Sequence, residues 1–487
     1  MKILKDLKDK LHAKGVDIID TDYYDIIDMW ESWYNGNVED FHYYNVKIAD
    51  GSTAEFERKT MSMAKKGAED MMKLLWSNKC DIKLGSDEKT KKLWDVLDSK
   101  QNNFTIMFPQ MIELAMALGT TAMTQYKDAM GRTRIEYIND AKAIIPYAYD
   151  NFNITGFIVF NQWQETEKKS TFYFTHLTYH EFKPEKDESG EYKQVYRKYN
   201  EVYKSKNPDE LGKEIEFSEI FPDVEELVEE NVDTPHFQII KPPLANNVDI
   251  NTPMGLSIFG NSIDKLKAID NKYDSFDMEF IDGKRKILVD RTALKSTPQV
   301  DSDGNISQQL YFDRNDRTFV AMNGMKDQPV KDISFDLRYQ EHIDSINAEL
   351  NWYSASLGFG ETFYKFDGNG QATATEILSQ DDDAFRTKQT FEVVIKDVII
   401  DLVKSVCYLE SIELSENEIQ VEFDYSRFEN QEKTQMRLER EVNMGITSKT
   451  EYRMKVYNET EEIAKQKIAE IEANNPNIKD LLGTNEE

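Results

Sequence analysis

Cysteine is scarce in this chain of 487 residues, which contains only Cys80 and Cys407. Two cysteines cannot build a disulfide framework or a cysteine-based zinc site. The sequence also lacks a run of 18 apolar residues, so we expect no transmembrane helix and no membrane partner. Basic residues are outnumbered, and the formal net charge is −30. Because such a surface repels nucleic acid, any contact with DNA is expected to be local and transient.

Motifs of catalysis are missing as well. There is no Walker A sequence, no dinucleotide-binding glycine fingerprint and no G-x-S-x-G. His176 and His180 share a predicted strand, where a spacing of four residues separates them by about 13 Å, too far to share a metal. Consecutive residues of a helix point about 100° apart, so Asp381, Asp382 and Asp383 favour a solvated or intersubunit patch. We therefore expect no enzyme, cofactor or metal, with a metal-dependent nuclease as a less favoured alternative.

Apolar periodicity predicts an α+β chain. Helical spacing dominates the first 120 residues, and alternation from Thr121 to about Tyr203 predicts an antiparallel sheet. Residues 207–235 contain eleven acidic side chains and one basic side chain, Lys213. This composition predicts a solvated acidic insertion, with a peripheral helix as one form of it.

Two long helices are expected on either side of a small β unit. The first spans 255–283, and the second begins near Phe335. Both carry apolar stripes suited to packing against a neighbouring helix. The stripe residues are Ile263, Leu266, Tyr273, Phe276, Ile343, Ile346, Leu350 and Tyr353.

The elements expected after residue 373 are predicted from short local patterns in the sequence. Thr373 and Glu376 form a capping-box pattern that predicts the start of a long buried helix ending near Leu409. A strand over 419–425 is expected to return the chain to a sheet. The last 55 residues are predicted to be helical, with a second capping box at Ser448 and Glu451.

Two segments resemble the portal proteins of siphophages of Gram-positive bacteria. They begin with GLSIFGNSIDKLKAIDNKYDSFDMEF and INAELNWYSASLGFGETFYKFDGNGQATATE, within 255–291 and 346–392. The resemblance implies a portal-protein fold. Its expected parts are a wing (1–257), stem helix 1 (258–283), a clip (284–334), stem helix 2 (335–357), a tunnel loop (358–372), a wing helix with a returning strand (373–430) and a crown (431–487).

The resemblance also implies a function. Twelve copies would form a ring at one capsid vertex, the channel through which viral DNA is packaged and ejected. Double-stranded DNA would be a transient partner. The protein partners would be the terminase large subunit, the head-completion or adaptor proteins, and the major capsid and scaffolding proteins. The ring would assemble in the host bacterial cytoplasm and reside in the virion. Another phage head-assembly or adaptor protein is the alternative.

Candidate DNA-contacting residues follow from the same resemblance. In the tunnel loop they are Thr362, Tyr364, Lys365, Asn369 and Gln371. Lys365 could meet phosphates or form an intersubunit ion pair. A basic cluster lies at the expected junction of stem and clip, and it could instead form salt bridges to an acidic neighbouring subunit. Its members are Lys284, Arg285, Lys286 and Arg291.

Overall fold

The computed structural model describes most of the chain. The described residues are 2–47, 52–167, 170–187, 189–222, 224–283, 286–290, 296–300, 306–310, 319–322, 330–333, 336–366, 374–415, 417–425, 438–442, 444–445, 447–457 and 459–474. They divide into two compact units, Met1–Phe423 and Asp424–Glu487. The mixture of helix and sheet confirms the predicted α+β class.

Helices form the first part of the larger unit, as the sequence predicts. They are α1 (Lys2–Ala13), α2 (Tyr23–Tyr34), α3 (Glu39–His42), α4 (Met63–Leu75), α5 (Asp87–Leu97) and α6 (Phe104–Leu118). Three short strands interrupt them: β1 (Tyr43–Lys47), β2 (Thr53–Glu57) and β3 (Asp81–Lys83). The α6 helix contains Pro109 and lies in the core, where Phe104 and Phe108 stack on each other with ring centroids 4.6 Å apart.

The predicted antiparallel sheet is confirmed, and it consists of two sheets. The first contains β4 (Thr121–Lys127), β5 (Thr133–Ile138) and β12 (Phe237–Ile240). The second is built from β6 (Ile144–Asp150), β7 (Asn153–Glu167), β8 (Ser170–Lys186) and β9 (Tyr192–Ser205), each antiparallel to the next. Along β8, Phe174, Thr175 and the run Leu177–His180 are buried, so both faces of the strand are covered there.

The acidic segment is more ordered than a solvated insertion would be. It contains β10 (Lys213–Ile215), α7 (Phe217–Ile220) and β11 (Leu227–Asn231). Both strands pair with β9, and Phe217 is buried against Phe174 and Val202. The predicted peripheral helix is therefore only the four residues of α7. The backbones of β10 and β11 instead hydrogen bond to β9 at the edge of the sheet.

Two helices flank the small β unit, with later starts than the sequence suggests. The first, α8, is Ile263–Asp282, and the second, α9, is Tyr339–Ser356. Between them lie β13 (Lys286–Asp290), β14 (Ser296–Val300), β15 (Ile306–Leu310), β16 (Phe319–Met322) and β17 (Val330–Ile333). Strand β13 pairs in parallel with β16 and antiparallel with β17, whereas β14 and β15 pair with each other.

A helix of 36 residues, α10 (Ala374–Leu409), follows and ends where the sequence predicts. Thr373, the first residue of the expected capping box, lies outside the described residues. The returning strand β18 (Gln420–Glu422) is shorter than predicted and pairs with β3. It thus extends neither of the larger sheets.

The smaller unit contains α11 (Lys449–Tyr457) and α12 (Glu461–Asn474). The capping box predicted before α11 is confirmed in both directions. The Ser448 backbone N–H donates to the Glu451 carboxylate at 3.0 Å, and the Glu451 N–H donates to Ser448 Oγ at 3.1 Å. This reciprocal pair satisfies two N–H groups that a helix start otherwise leaves unpaired.

Candidate functional site

The predicted apolar stripes of α8 and α9 meet largely within the chain. Leu266 on α8 is buried, as are Ile346, Leu350 and Tyr353 on α9. The other four stripe residues, Ile263, Tyr273, Phe276 and Ile343, are half-buried. Because the four buried side chains are already covered within the single chain, they are not available to a second copy.

Polar contacts tie the two helices at three levels. Ser262 and Ser356 hydrogen bond through their hydroxyls at 2.7 Å, and Lys272 donates to Glu349 at 2.6 Å. At the far end, Arg338 donates to Glu279 from its backbone N–H and from its guanidinium, with the shortest distance at 2.6 Å. These bonds lower the pKa of the Glu279 carboxyl from 4.5 to about 2. The helices are therefore clamped where the β unit begins and ends.

Helix α9 is also fixed to the body. The Tyr353 hydroxyl donates to the Met63 carbonyl at the start of α4, at 2.9 Å. A Cβ placed on Gly67 would lie 2.7 Å from that hydroxyl and 2.9 Å from Leu357 Cδ1. A larger residue at position 67 would therefore force the Tyr353 and Leu357 side chains to shift.

The first part of the predicted tunnel loop is packed against the helix pair. Gly358 and Gly360 both have positive φ, +79° and +87°, which ends α9 and turns the chain. The Gly358 carbonyl accepts a hydrogen bond from Thr387 Oγ1 of α10 at 2.7 Å. The start of the loop is therefore fixed by contacts with both α9 and α10.

Aromatic side chains anchor the same loop further along. The Phe366 ring lies 6.1 Å from the Tyr273 ring and 5.6 Å from the Phe276 ring, measured between centroids. The Phe366 N–H donates to Asn347 Oδ1 of α9 at 2.7 Å. Tyr364 is 8% exposed and stacks near Tyr353. Phe366 and Tyr364 thus act as anchors on the two helices.

The residues predicted to contact DNA differ in how exposed they are to solvent. Lys365 is exposed and Thr362 is half-exposed, whereas the buried side chain of Tyr364 is turned away from solvent. Asn369 and Gln371 lie outside the described residues. In the basic cluster, Lys286 begins β13, and its neighbours in that cluster, Lys284, Arg285 and Arg291, are also outside the described residues.

Sequence reasoning missed an acidic ladder on α8. Asp270 accepts a hydrogen bond from the Met61 N–H at 2.9 Å, and Asp274 accepts one from the Lys59 N–H at 3.1 Å. Asp277 forms an ion pair with Lys59 Nζ at 2.7 Å. The signal was present as acids spaced by four and three residues, which share one helix face. Residues 58–61 lie along this face as a strap.

Several histidine and lysine side chains elsewhere in the larger unit are paired. His176 hydrogen bonds to Asn200 Oδ1 at 3.0 Å, and His180 hydrogen bonds to the Tyr196 hydroxyl at 2.9 Å. On α10, Lys388 is buried against Glu392. In the described ranges, no group of three or more His, Cys, Asp or Glu side chains is arranged to hold a metal ion.

The described helices also include none that is long and apolar enough to cross a bilayer. Two solved structures are similar only remotely. A chain of the "virion of native gene transfer agent (GTA) particle" is 9% identical with a TM-score of 0.37, covering 81% of this chain and 88% of that chain. A chain of the "neck of native GTA particle computed with C12 symmetry" is 10% identical with a TM-score of 0.35 and the same coverage. Similarity at this level says nothing of what the chain does.

Comparison of sequences is decisive. No curated protein matches. A family model described as "Phage portal protein, SPP1 Gp6-like" matches residues 16–477, nearly the whole chain and both of its compact units. The chain therefore belongs to the phage portal protein family, and it is a structural, non-enzymatic component of the virion head.

Proposed function

We propose that the chain is one subunit of a twelve-membered ring that forms the DNA channel at one capsid vertex. The family match over residues 16–477 carries this proposal. In the ring, α8 and α9 lie in the two stem segments, 258–283 and 335–357. Residues 284–334 form the clip, 358–372 the tunnel loop, 1–257 with 373–430 the wing, and 431–487 the crown.

The negative net charge of the subunit suits a channel through which DNA has to move. Each subunit has a formal net charge of −30, so a ring repels DNA over most of its surface. A channel that made many Lys–phosphate contacts would bind DNA tightly and slow its movement. Lys365, which is exposed beside the anchored aromatic residues, is the basic candidate within the loop for a brief phosphate contact.

The proposal extends to partners and place. The clip is the docking surface for the terminase large subunit during packaging and for head-completion or adaptor proteins afterwards. The major capsid and scaffolding proteins surround the ring. Assembly occurs in the host bacterial cytoplasm, before the ring becomes part of the virion.

Native mass tests the ring directly. Twelve copies of the 56.8 kDa chain have a mass of about 680 kDa, which light scattering distinguishes from a monomer. Negatively stained particles of that mass should show a central hole. A compact particle of a few subunits without a hole would contradict the ring and favour an adaptor.

The loop is tested by charge reversal. We expect Lys365→Glu to leave the native mass unchanged and to reduce the amount of DNA packaged severalfold, because the exposed side chain would repel phosphate. Lys91→Glu, an equal charge change on the exposed face of α5, is the control. Equal packaging by both variants would remove Lys365 from the channel.

An experiment that replaces the tunnel loop should leave Tyr364 and Phe366 in place. Deleting 360–371 would remove Tyr364 and Phe366, which pack on α8 and α9. Exchanging only 367–371 for a glycine–serine segment of equal length keeps those contacts. We expect intact rings with impaired packaging. Loss of rings would instead mean that residues 367–371 hold subunits together.

A further inference from the structure

The β1–β2 hairpin has one apolar face and one polar face. Its pairing places Tyr44 opposite Phe56 and Val46 opposite Ala54. Side chains alternate across a strand, so these four residues share one face. The opposite face carries the pairs Tyr43–Glu57, Asn45–Glu55 and Lys47–Thr53. This alternation is typical of a strand pair that buries one side.

The described residues of the chain leave the hairpin uncovered. Both strands are exposed or half-exposed along their whole length. Val46 and Phe56 are each 39% exposed, although Phe56 stacks on Tyr44 with centroids 5.9 Å apart. An isolated two-stranded hairpin is at best marginally stable in water. Its apolar face therefore has room for a partner that the described residues do not supply.

The base of the hairpin is rigidly held. His42, directly before β1, is buried and hydrogen bonds to Asp270 of α8 at 3.1 Å. The Val38 N–H donates to His42 Nδ1 at 2.8 Å, so in neutral His42 the proton resides on Nε2 and is donated to Asp270. After β2, the strap lies along the acidic ladder of α8 through Lys59 and Met61. Every copy therefore presents its hairpin in the same place.

We propose that this hairpin is an arm that packs its apolar face onto a second copy of the chain. The inference rests on the proposed ring, in which each head-to-tail contact repeats until the circle closes. Tyrosine, phenylalanine and arginine are enriched in such contacts, and the guanidinium of Arg58 lies 4.2 Å from the Phe41 ring and 4.8 Å from the Tyr44 ring.

Charge favours a second copy as the occupant. Residues 43–59 contain three basic and three acidic side chains, so they have no net charge in a chain of −30. Two such acidic copies repel each other over most orientations. The repulsion is smallest where one of them presents a neutral, apolar surface, and the arm is such a surface.

Site-specific photo-crosslinking tests the arm. A photoreactive phenylalanine at Val46 should produce a covalent dimer of the chain on irradiation of assembled protein, whereas the same group at Asn45, on the polar face, should yield at least severalfold less. Peptide mapping then shows which chain was reached. Adducts confined to the same chain, or equal yields from both positions, would overturn the proposal.

A matched pair of variants provides a second test. Tyr44→Ser with Phe56→Ser removes the aromatic pair, and Asn45→Ser with Glu55→Ser changes the directly opposite pair on the other face. We expect the first variant to need at least tenfold more protein for half-assembly and the second to assemble as wild type. Both should retain the helical circular dichroism of the body.

The outcomes separate the two proposals. Wild-type chain that remains monomeric, alone and with its capsid proteins, contradicts the ring and the arm together. Two results together contradict the arm and leave the ring standing. They are normal ring formation by the variant with Tyr44→Ser and Phe56→Ser, and the absence of a dimer adduct when the photoreactive group replaces Val46 in an otherwise wild-type chain.

Discussion

Two glycines allow parts of the backbone that are distant in sequence to touch. Gly119 ends α6 with a φ of +85°, and a Cβ there would lie 2.1 Å from the Gly255 carbonyl oxygen. The Gly255 N–H donates to Thr120 Oγ1 at 2.9 Å, and the Tyr23 hydroxyl donates to the Gly255 carbonyl at 2.9 Å. This crossing fixes the chain shortly before α8 begins.

Gly119→Ala should be strongly destabilising. The methyl group would meet backbone atoms, which cannot move aside as a flexible side chain can, and alanine also disfavours positive φ by about 1–2 kcal/mol. We expect a loss of about 3–5 kcal/mol in the free energy of unfolding, measured in urea. Gly131→Ala is the control, because its φ is +74° and an added Cβ meets nothing within 4 Å. Equal losses from both would show that the crossing is not tight.

Arg338 controls the titration of Glu279. Its hydrogen bonds lower the pKa of that carboxyl to about 2. The ion pair thus contributes stability that is present above the unfolded pKa near 4.5 and is lost as pH falls toward 2. In Arg338→Gln the pKa of Glu279 should rise toward 4.5, measured by carboxyl NMR. Glu341→Gln, which removes a weaker neighbour of Arg338, should leave it low.

At the scale of elements, spacing revealed which helix faces are apolar but not what covers them. The stripe of α9 predicted a packed face, and Leu350 and Tyr353 are buried. Their partners include α8 and α4, and Met63 is separated from Tyr353 by 290 positions. A periodicity of three and four residues contains no information about so distant a neighbour, in the same chain or in another.

Leu350 therefore distinguishes folding from assembly. We expect Leu350→Ala to lower the free energy of unfolding by about 2–5 kcal/mol, because it leaves a cavity in the core. Leu350→Asp should abolish folding of the subunit, not merely its assembly, because the carboxylate would be buried without a partner. Trp352→Ala, whose side chain is 66% exposed, should change stability by less than about 0.5 kcal/mol. Folded monomers from Leu350→Asp, seen by circular dichroism, would contradict this.

Local motifs were the most predictable elements. The capping box of Ser448 and Glu451 needs only four residues, and both of its hydrogen bonds form. The clamp of His42 on Asp270 joins residues 228 positions apart. Nothing around His42 in the sequence marks it as buried, so this contact and the strap beside it required the three-dimensional structure.

For the whole molecule, buried histidines make stability depend on pH. Burial lowers the pKa of His176 and His236 below 6.5 and that of His180 well below it. At these three histidines the unfolded chain therefore binds more protons than the folded chain below pH 6.5. Since stability rises with pH wherever the unfolded state holds more protons, the free energy of unfolding should fall as pH decreases from 6.5 to 5.

His180→Phe should weaken this dependence. The aromatic ring can keep the stacking on Phe157, whose centroid lies 5.0 Å away, while the titrating nitrogen is removed. We expect the slope between pH 6.5 and 5 to fall by up to about 1.4 kcal/mol per pH unit. The wild-type chain provides the reference slope. Urea unfolding at several pH values gives both slopes, and an unchanged slope in His180→Phe would contradict the burial argument.

The pairing of β3 with β18 has a consequence for synthesis on the ribosome. Lys83 and Glu422, which form an ion pair across these strands, are 339 positions apart. At about 5–20 residues per second, the partner of β3 is translated roughly 20–70 s after β3 itself. Until then the nascent chain exposes an unpaired strand edge, a known template for misassociation. Chaperone demand should therefore persist until residue 422 of the 487 has been translated.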